Sequence, residues 1–215
     1  LDNWKNPCGA PEVCTALGNS IKIGLLATIF STILGTMIAF AIGRYAFKGR
    51  SSSNLLIFLP MATPEIVLGA SLLSLFLVFQ INPGFWPTVI AHVMFCISFV
   101  VVTVKARIAS LDPRLEQAAM DLYANELETF RRVTLPLVAP GIAGAALLAF
   151  SLSFDDFIIT NFNSGTLKTF PEFVYTSAAR GIPAQANVIG SAMFILALLI
   201  VIAGQFVGKR VKVSK

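Results

Sequence analysis

Residues Glu116-Gln117-Ala118-Ala119-Met120-Asp121-Leu122, followed by Thr129-Phe130-Arg131-Arg132-Val133-Thr134-Leu135-Pro136, form a polar, amphipathic stretch inside an otherwise apolar chain. Leu115, Ala118, Ala119 and Leu122 recur at helical spacing, and Leu127, Phe130 and Val133 continue the apolar series. Glu116, Asp121, Glu126, Glu128, Arg131 and Arg132 fill the other face. Asp112-Pro113 ahead of the stretch is a helix start, with aspartate as cap and proline at the first helical position. A helix that lies on a membrane carries Lys and Arg on its polar face, whereas this one is mixed and locally acidic. Docking into a protein groove suits it better: Ala118 and Ala119 permit close approach, and Leu122 and Phe130 serve as anchors.

Outward from that stretch the chain is membrane. Hydrophobic residues make up 56% of it and charged residues only 13%, against about 25% charged in soluble domains, and mean hydropathy is +0.79. A spanning helix needs roughly 20 apolar residues. Five such runs are present, at about 19–42, 54–79, 87–104, 138–158 and 187–207, with the 105–137 loop between the third and fourth. The 215 residues are therefore read as one all-α membrane domain, 1–215, with no room for a separate soluble catalytic domain.

Charge orients the spans. Arg44, Lys48, Arg50, Lys105, Arg107, Arg114, Arg131, Arg132, Lys209, Arg210, Lys212 and Lys215 fall on one side, twelve in all. Lys5, Lys22, Lys168 and Arg180, only four, fall on the other. Basic loops stay in the cytoplasm, so the amino end of the chain is expected outside and the carboxyl terminus inside. The net charge of +5 reflects this topology and gives no reason to expect nucleic acid as a partner. The chain opens at Leu1 without methionine, and residues 1–19 lack a signal-peptide pattern. A further transmembrane helix ahead of Leu1 is the expectation.

Several polar residues interrupt the apolar runs. Pro60 and Pro64 each remove an amide donor, so a kink or break is predicted near 60–65. Glu65 follows them, and a charge at membrane depth costs at least about 2.5 kcal/mol. It is read either as a carboxylate lining a solute route or as the acid of a restarted helix's first turn, and the two roles are compatible. Asp155 and Asp156 lie near the outer mouth of the fourth span, about 100° apart on a helix of 3.6 residues per turn. They are not a dyad acting on one atom: one can face the route while the other caps a helix or pairs with Arg180 or Lys168, the alternative being a solvated helix end. Cys8 and Cys14 bracket Pro11 in the exported segment, where a disulfide can form or two free thiols remain. Cys96 reads as packing, and His92, the single histidine, either bonds a neighbouring helix or faces a pathway. No metal-ligand spacing occurs, and Gly204-Gln205-Phe206-Val207-Gly208-Lys209-Arg210 misses the phosphate-loop pattern. No catalytic, metal or cofactor residue is assigned, so any energy input comes from another chain.

Gln117-Ala118-Ala119 followed by Leu135-Pro136 resembles the EAA loop of ABC-importer permeases, whose general pattern is E-A-A…G…I-x-L-P. Gln117 stands where the first glutamate is usual, with Glu116 adjacent, and Tyr123 replaces the turn glycine. Asn125 is expected to take over the positive-φ conformation. Within the family the chain resembles the PotC-type permeases of spermidine/putrescine importers. The matching stretches are Phe85-Trp86, residues 97–104, Ser153-Phe154-Asp155-Asp156-Phe157, Val174-Tyr175-Thr176-Ser177 and Arg180-Gly181-Ile182-Pro183.

The resemblance implies a type I ABC-importer permease bundle in the cell (inner or plasma) membrane, with five spans here and a sixth, amino-terminal one missing. It implies a second homologous permease, an ABC ATPase dimer holding the ATP and Mg, and an extracytoplasmic substrate-binding protein as partners. Coupling to the ATPase would fall to Glu116, Gln117, Ala118, Ala119, Asp121, Leu122, Tyr123, Phe130, Arg131, Leu135 and Pro136. For a polycationic cargo, weak repeated attraction lets the ion enter and leave. Glu65 and one of Asp155 or Asp156 are the candidates on that route, with Trp86 offering cation–π contact at the outer mouth. The competing readings are the same machine with a sugar, phosphodiester or metal complex as cargo, and an ATPase-independent secondary transporter or channel.

Overall fold

A computed structural model describes residues 2–10, 12–179 and 181–213, with side chains for all of these except 2, 197 and 200–213. The described residues form helices and no strand: α1 (Asp2–Lys5), α2 (Val13–Arg44), α3 (Arg50–Ala62), α4 (Glu65–Val78), α5 (Phe85–Ala109), α6 (Arg114–Asp121), α7 (Glu126–Thr129), a π-helical turn (Phe130–Thr134), α8 (Leu135–Asp155), α9 (Ile158–Asn163), α10 (Phe170–Ala178) and α11 (Ala184–Val213). Among the residues with described side chains, three elements are long and apolar enough to cross a membrane by themselves: α2, α5 and the continuous run Glu126–Asp155. The bent pair α3 and α4 makes a fourth.

Three helices make the core. α2, α5 and α8 pack on one another around Ala39, Val100, Val101, Val104, Ala145 and Ala149, all buried. The small residues sit on α2 and α8, which lets the backbones close on the β-branched face of α5. In lipid this close packing, rather than water exclusion, holds helices together. Gly35 shows how tight it is: a Cβ there would stand 2.7 Å from Val100 Cγ1. Leu25, Ile29, Ile33 and Met37 on α2, and Leu55, Leu56, Phe58 and Leu59 on α3, face outward, as a hydrocarbon surround allows.

The predicted interruption lies where the prolines put it. Between α3 and α4 the axis turns by 107°. Pro64 cannot donate to the carbonyl of Pro60, and a residue before proline is pushed out of the helical region. Thr63 is accordingly extended, at φ −82° and ψ 132°. Its N–H and hydroxyl both close on Leu59 O, at 2.9 and 2.7 Å, and the helix restarts at Glu65. α3 then follows α5, while α4 crosses to pack against α9.

The 105–137 segment is less of a loop than its charge suggests. α5 runs on to Ala109, and a single helical run resumes at Glu126. Proline again explains the irregularity. Pro136 lacks the N–H that an α-helix would direct at Arg132, and the turn before it widens so that Leu135 N–H donates five residues back, to Phe130 O. At that level Arg107 of α5 donates Nε and Nη2 to Leu137 O, at 3.0 and 2.8 Å. Gly141 makes room for the arginine stem, since a Cβ there would sit 2.5 Å from Arg107 Cγ. Gly141 therefore packs within this chain's own bundle.

At the opposite end, Val13 and Ala16 of α2, Phe170 and Phe173 of α10, and Ala186 and Ile189 of α11 form a second apolar cluster. Cys8 and Cys14 are joined as a disulfide beside it, their Cα atoms 5.4 Å apart. Polar ties complete the cap: Phe170 N–H donates to Ser20 Oγ (2.8 Å), Asn19 Nδ2 to Lys168 O (2.9 Å), and Lys168 pairs with Glu12 (2.9 Å).

Candidate functional site

The α6–α7 hairpin is the first of two polar regions. Asp112 Oδ1 accepts from Arg114 N at 2.9 Å just ahead of α6, and Pro113 stands at the position before the first helical residue, one earlier than expected. The helix closes through paired backbone bonds, Tyr123 N to Met120 O (3.0 Å) and Ala124 N to Ala119 O (3.2 Å). These bonds require a left-handed residue just past the helix end, normally glycine. Tyr123 takes that position itself, at φ +66°. The expectation for Asn125 is thus corrected: it is extended, at φ −75° and ψ 169°, and forms a capping box with Glu128 at the start of α7. The conformation follows from the chain path, which must reverse immediately after Asp121.

Two residues point elsewhere than periodicity suggests. Glu116 faces the bundle, where it is ion-paired with Arg44 at the end of α2 and accepts from Thr134 Oγ1 at 2.6 Å. Phe130 packs edge to face on Phe40, centroids 5.3 Å apart, with the Arg44 guanidinium 5.6 Å from the centroid of that ring. Glu116 and Phe130 therefore fasten the hairpin to α2. The outward surface is carried by Gln117, Ala118, Asp121, Leu122, Tyr123, Arg131, Leu135 and Pro136, all exposed, with Ala119 half-buried at its edge. Leu122 is 80% exposed and Tyr123 98%, with Leu127 beside them at 64%. A tip this apolar, on a fixed scaffold, is a surface that a partner would cover.

The second region is acidic. Glu65 opens α4 and is exposed at the bend. Asp155 ends α8 and is exposed, while Asp156 is buried. α4 packs against α9, so the fold brings Glu65, at the start of α4, into the same region as the adjacent pair Asp155 and Asp156, far from it in sequence. Their environments differ. Asp156 accepts from Ile159 N (3.3 Å), Thr160 N (2.9 Å) and Thr160 Oγ1 (3.2 Å), capping α9 where the chain breaks after α8. Lys168 is engaged by Glu12, and Arg180 lies outside the described residues. Trp86, in the first turn of α5, is exposed and packs edge to face on Phe85, 5.5 Å between centroids.

Residues 20–213 match the family described as binding-protein-dependent transport system inner membrane component. The chain belongs to this family. It is 34% identical over 193 residues to the spermidine/putrescine transport system permease protein PotC of Haemophilus influenzae, covering 89% of this chain and 75% of that protein. It is 37% identical over 186 residues to the putrescine transport system permease protein PotI of Escherichia coli (strain K12), covering 82% and 66%. Among solved structures it is similar to a bacterial ABC transporter involved in the import of alginate, with a TM-score of 0.74, 16% identity and 98% and 83% of the two chains covered. That likeness is one of fold. The chain is an ABC-importer permease, all-α and multi-pass.

Three features of this permease are not visible in its sequence. Arg44 is an ordinary basic residue at a helix end until Glu116, 72 positions away, is brought beside it. Tyr123 reads as an anomaly at a glycine position, and only the backbone shows that it adopts the glycine conformation. His92 is 1% exposed and joins Ser153, Thr160 and Asp156 across three helices. Its solitary place in an apolar span was the available signal.

Proposed function

We propose that this permease imports polyamines, spermidine or putrescine, and is driven by an ATPase on separate chains that engages the α6–α7 tip. The identity to PotC over 89% of the chain carries the cargo assignment. The exposed Leu122, Tyr123 and Leu127, on a hairpin pinned by Arg44 and Glu116, support the coupling role. ATP and Mg would bind on that partner, and the hairpin side, rich in Lys and Arg, would face the cytoplasm. A second permease and an extracytoplasmic binding protein would complete the assembly.

In this reading Glu65 and Asp155 offer exposed carboxylates to an amine travelling through the bundle, Trp86 offers a ring face, and Asp156 serves the scaffold. Two separated acids attract a flexible polycation without trapping it. The test is uptake of labelled spermidine by source cells with and without this gene, with unlabelled putrescine and a neutral sugar as competitors. Gene-dependent uptake blocked by putrescine alone supports the assignment. Gene-dependent uptake blocked by the sugar moves the cargo to another class, and uptake independent of the gene removes polyamines from consideration.

A further inference from the structure

His92, Ser153, Thr160 and Asp156 form a buried polar knot where α5 meets the break between α8 and α9. Ser153 Oγ lies 2.7 Å from His92 Nδ1, Thr160 Oγ1 lies 3.0 Å from Nε2, and Asp156 Oδ2 lies 3.4 Å from the same nitrogen. All four side chains are buried. Thr160 Oγ1 donates to Asp156 Oδ2 at 3.2 Å and so has a lone pair left for an N–H. With one ring proton, the arrangement that satisfies every group places it on Nε2, directed at Thr160 and Asp156, while Ser153 O–H donates to Nδ1. The chain of donors then runs Ser153, His92, Thr160, Asp156, with no member left unpaired. One turn further along α5, Cys96 Sγ reaches Ala149 O at 3.5 Å and continues the same seam.

Such a knot is costly unless complete. A buried polar group without its partner loses about 1–3 kcal/mol, and the surrounding spans offer no water to replace it. The break it holds is the one that decides which of two adjacent acids is available. Asp156 is drawn inward by the α9 backbone and the knot, while Asp155, one residue earlier, is exposed.

We propose that His92 is the positioning residue of the acid pair: it locks Asp156 into the α8–α9 joint and thereby presents Asp155, alone, to the solute. His92 itself touches no cargo. The proposal rests on the import reading only in its uptake arm, since its geometric core concerns where residue 155 stands.

The experiment uses the assembled transporter with Cys96→Ala, so that the thiol of Asp155→Cys is the reporter, and a permanently cationic methanethiosulfonate as reagent. Labelling of that thiol should slow about fivefold or more when His92→Leu or Thr160→Val is added, because side chains sharing a network do not act independently. A control thiol at Asn82→Cys, exposed in the loop between α4 and α5, should label at the same rate throughout. His92→Gln, which keeps one donor and one acceptor in the knot, should restore most of the reactivity. Should His92→Leu fail to assemble, Thr160→Val and Ser153→Ala make the same measurement with smaller losses. Labelling unchanged within twofold in the variants that assemble overturns the proposal.

The uptake arm uses labelled spermidine. His92→Leu should raise the apparent KM about tenfold with little change in maximal rate, and should add nothing further in an Asp155→Asn background. Additive losses in the double variant also overturn the proposal. Absence of spermidine uptake by the unaltered transporter would count against the polyamine assignment alone, and the labelling result would still decide the role of His92.

Discussion

Arg44, the last residue of α2, is ion-paired with Glu116 in the middle of α6, and Thr134 hydrogen-bonds to both. One core helix of the bundle thus ends in a grip on the hairpin that carries the exposed apolar tip. The two charged side chains are 31% and 24% exposed, and a partly solvated pair of this kind is worth about 1 kcal/mol at most. Its importance is geometric: it fixes the angle at which the hairpin leaves the membrane domain.

From that grip comes the first prediction. Arg44→Ala and Glu116→Ala should each reduce transport and loosen ATPase retention, whereas the double variant should be no worse than the more severe single one. Co-purification of the ATPase with the four proteins checks it. Losses that add would mean that the two residues act separately.

Tyr123 holds a left-handed backbone that costs a side-chain-bearing residue about 1 kcal/mol and exposes nearly its whole ring. Tyr123→Gly should relieve the backbone strain and raise the melting temperature slightly, while weakening the hold on the ATPase severalfold. A variant that is both stabler and fully competent would show that the ring has no contact to make.

Ala118 lies on the outward face of α6 and is exposed. Ala118→Arg adds bulk and charge where close approach is expected, so it should abolish ATPase association and leave membrane insertion intact. Normal pull-down of the ATPase by that variant would refute docking through this face.

The three acids should separate by role. Glu65→Gln and Asp155→Asn should slow polycation uptake several-fold without lowering the yield of assembled transporter. Asp156→Ala removes the cap of α9, a loss of about 1 kcal/mol for a side-chain cap, and should appear first as a lower melting temperature and poorer assembly. Equal effects of all three on assembly would mean that none is specific to the solute.

The Cys8–Cys14 bridge closes a small loop ahead of α2, for which loop-entropy arguments give about 2 kcal/mol. Cys8→Ser with Cys14→Ser should therefore lower the melting temperature, and a reductant should do the same to the unaltered protein but not to the double variant. Identical melting before and after reduction would show that the α2–α10–α11 cluster holds without the bridge.

The fold class was legible because membrane imposes a coarse code: apolar runs long enough to span, and prolines that must interrupt them. Pro60 and Pro64 announce the break before Glu65, and Asp112-Pro113 announces α6. Contacts between residues distant in sequence were not legible. Helical periodicity assigns Glu116 to an outer polar face, and nothing local reveals that Arg44 waits on the other side. Phe130 reads as a free anchor for the same reason, until Phe40 is seen to occupy its edge. Asn125 is the better left-handed residue by intrinsic preference, yet the closing bonds of α6 put the reversal at Tyr123. Of the two aspartates, the sequence shows that they diverge but not which is buried, because His92 and Thr160 belong to other helices.

The uninterrupted run Glu126–Asp155 has a mechanical consequence. Thirty residues at 1.5 Å each make a rod about 45 Å long, starting next to the exposed tip and ending at Asp155. The wide turn at Phe130–Thr134 absorbs Pro136 without severing the rod. Tilting such a lever by about 10° around its foot sweeps the far end through about 8 Å. A push delivered at Leu127 would thus arrive at Asp155 as displacement, with no signal to relay through intervening side chains.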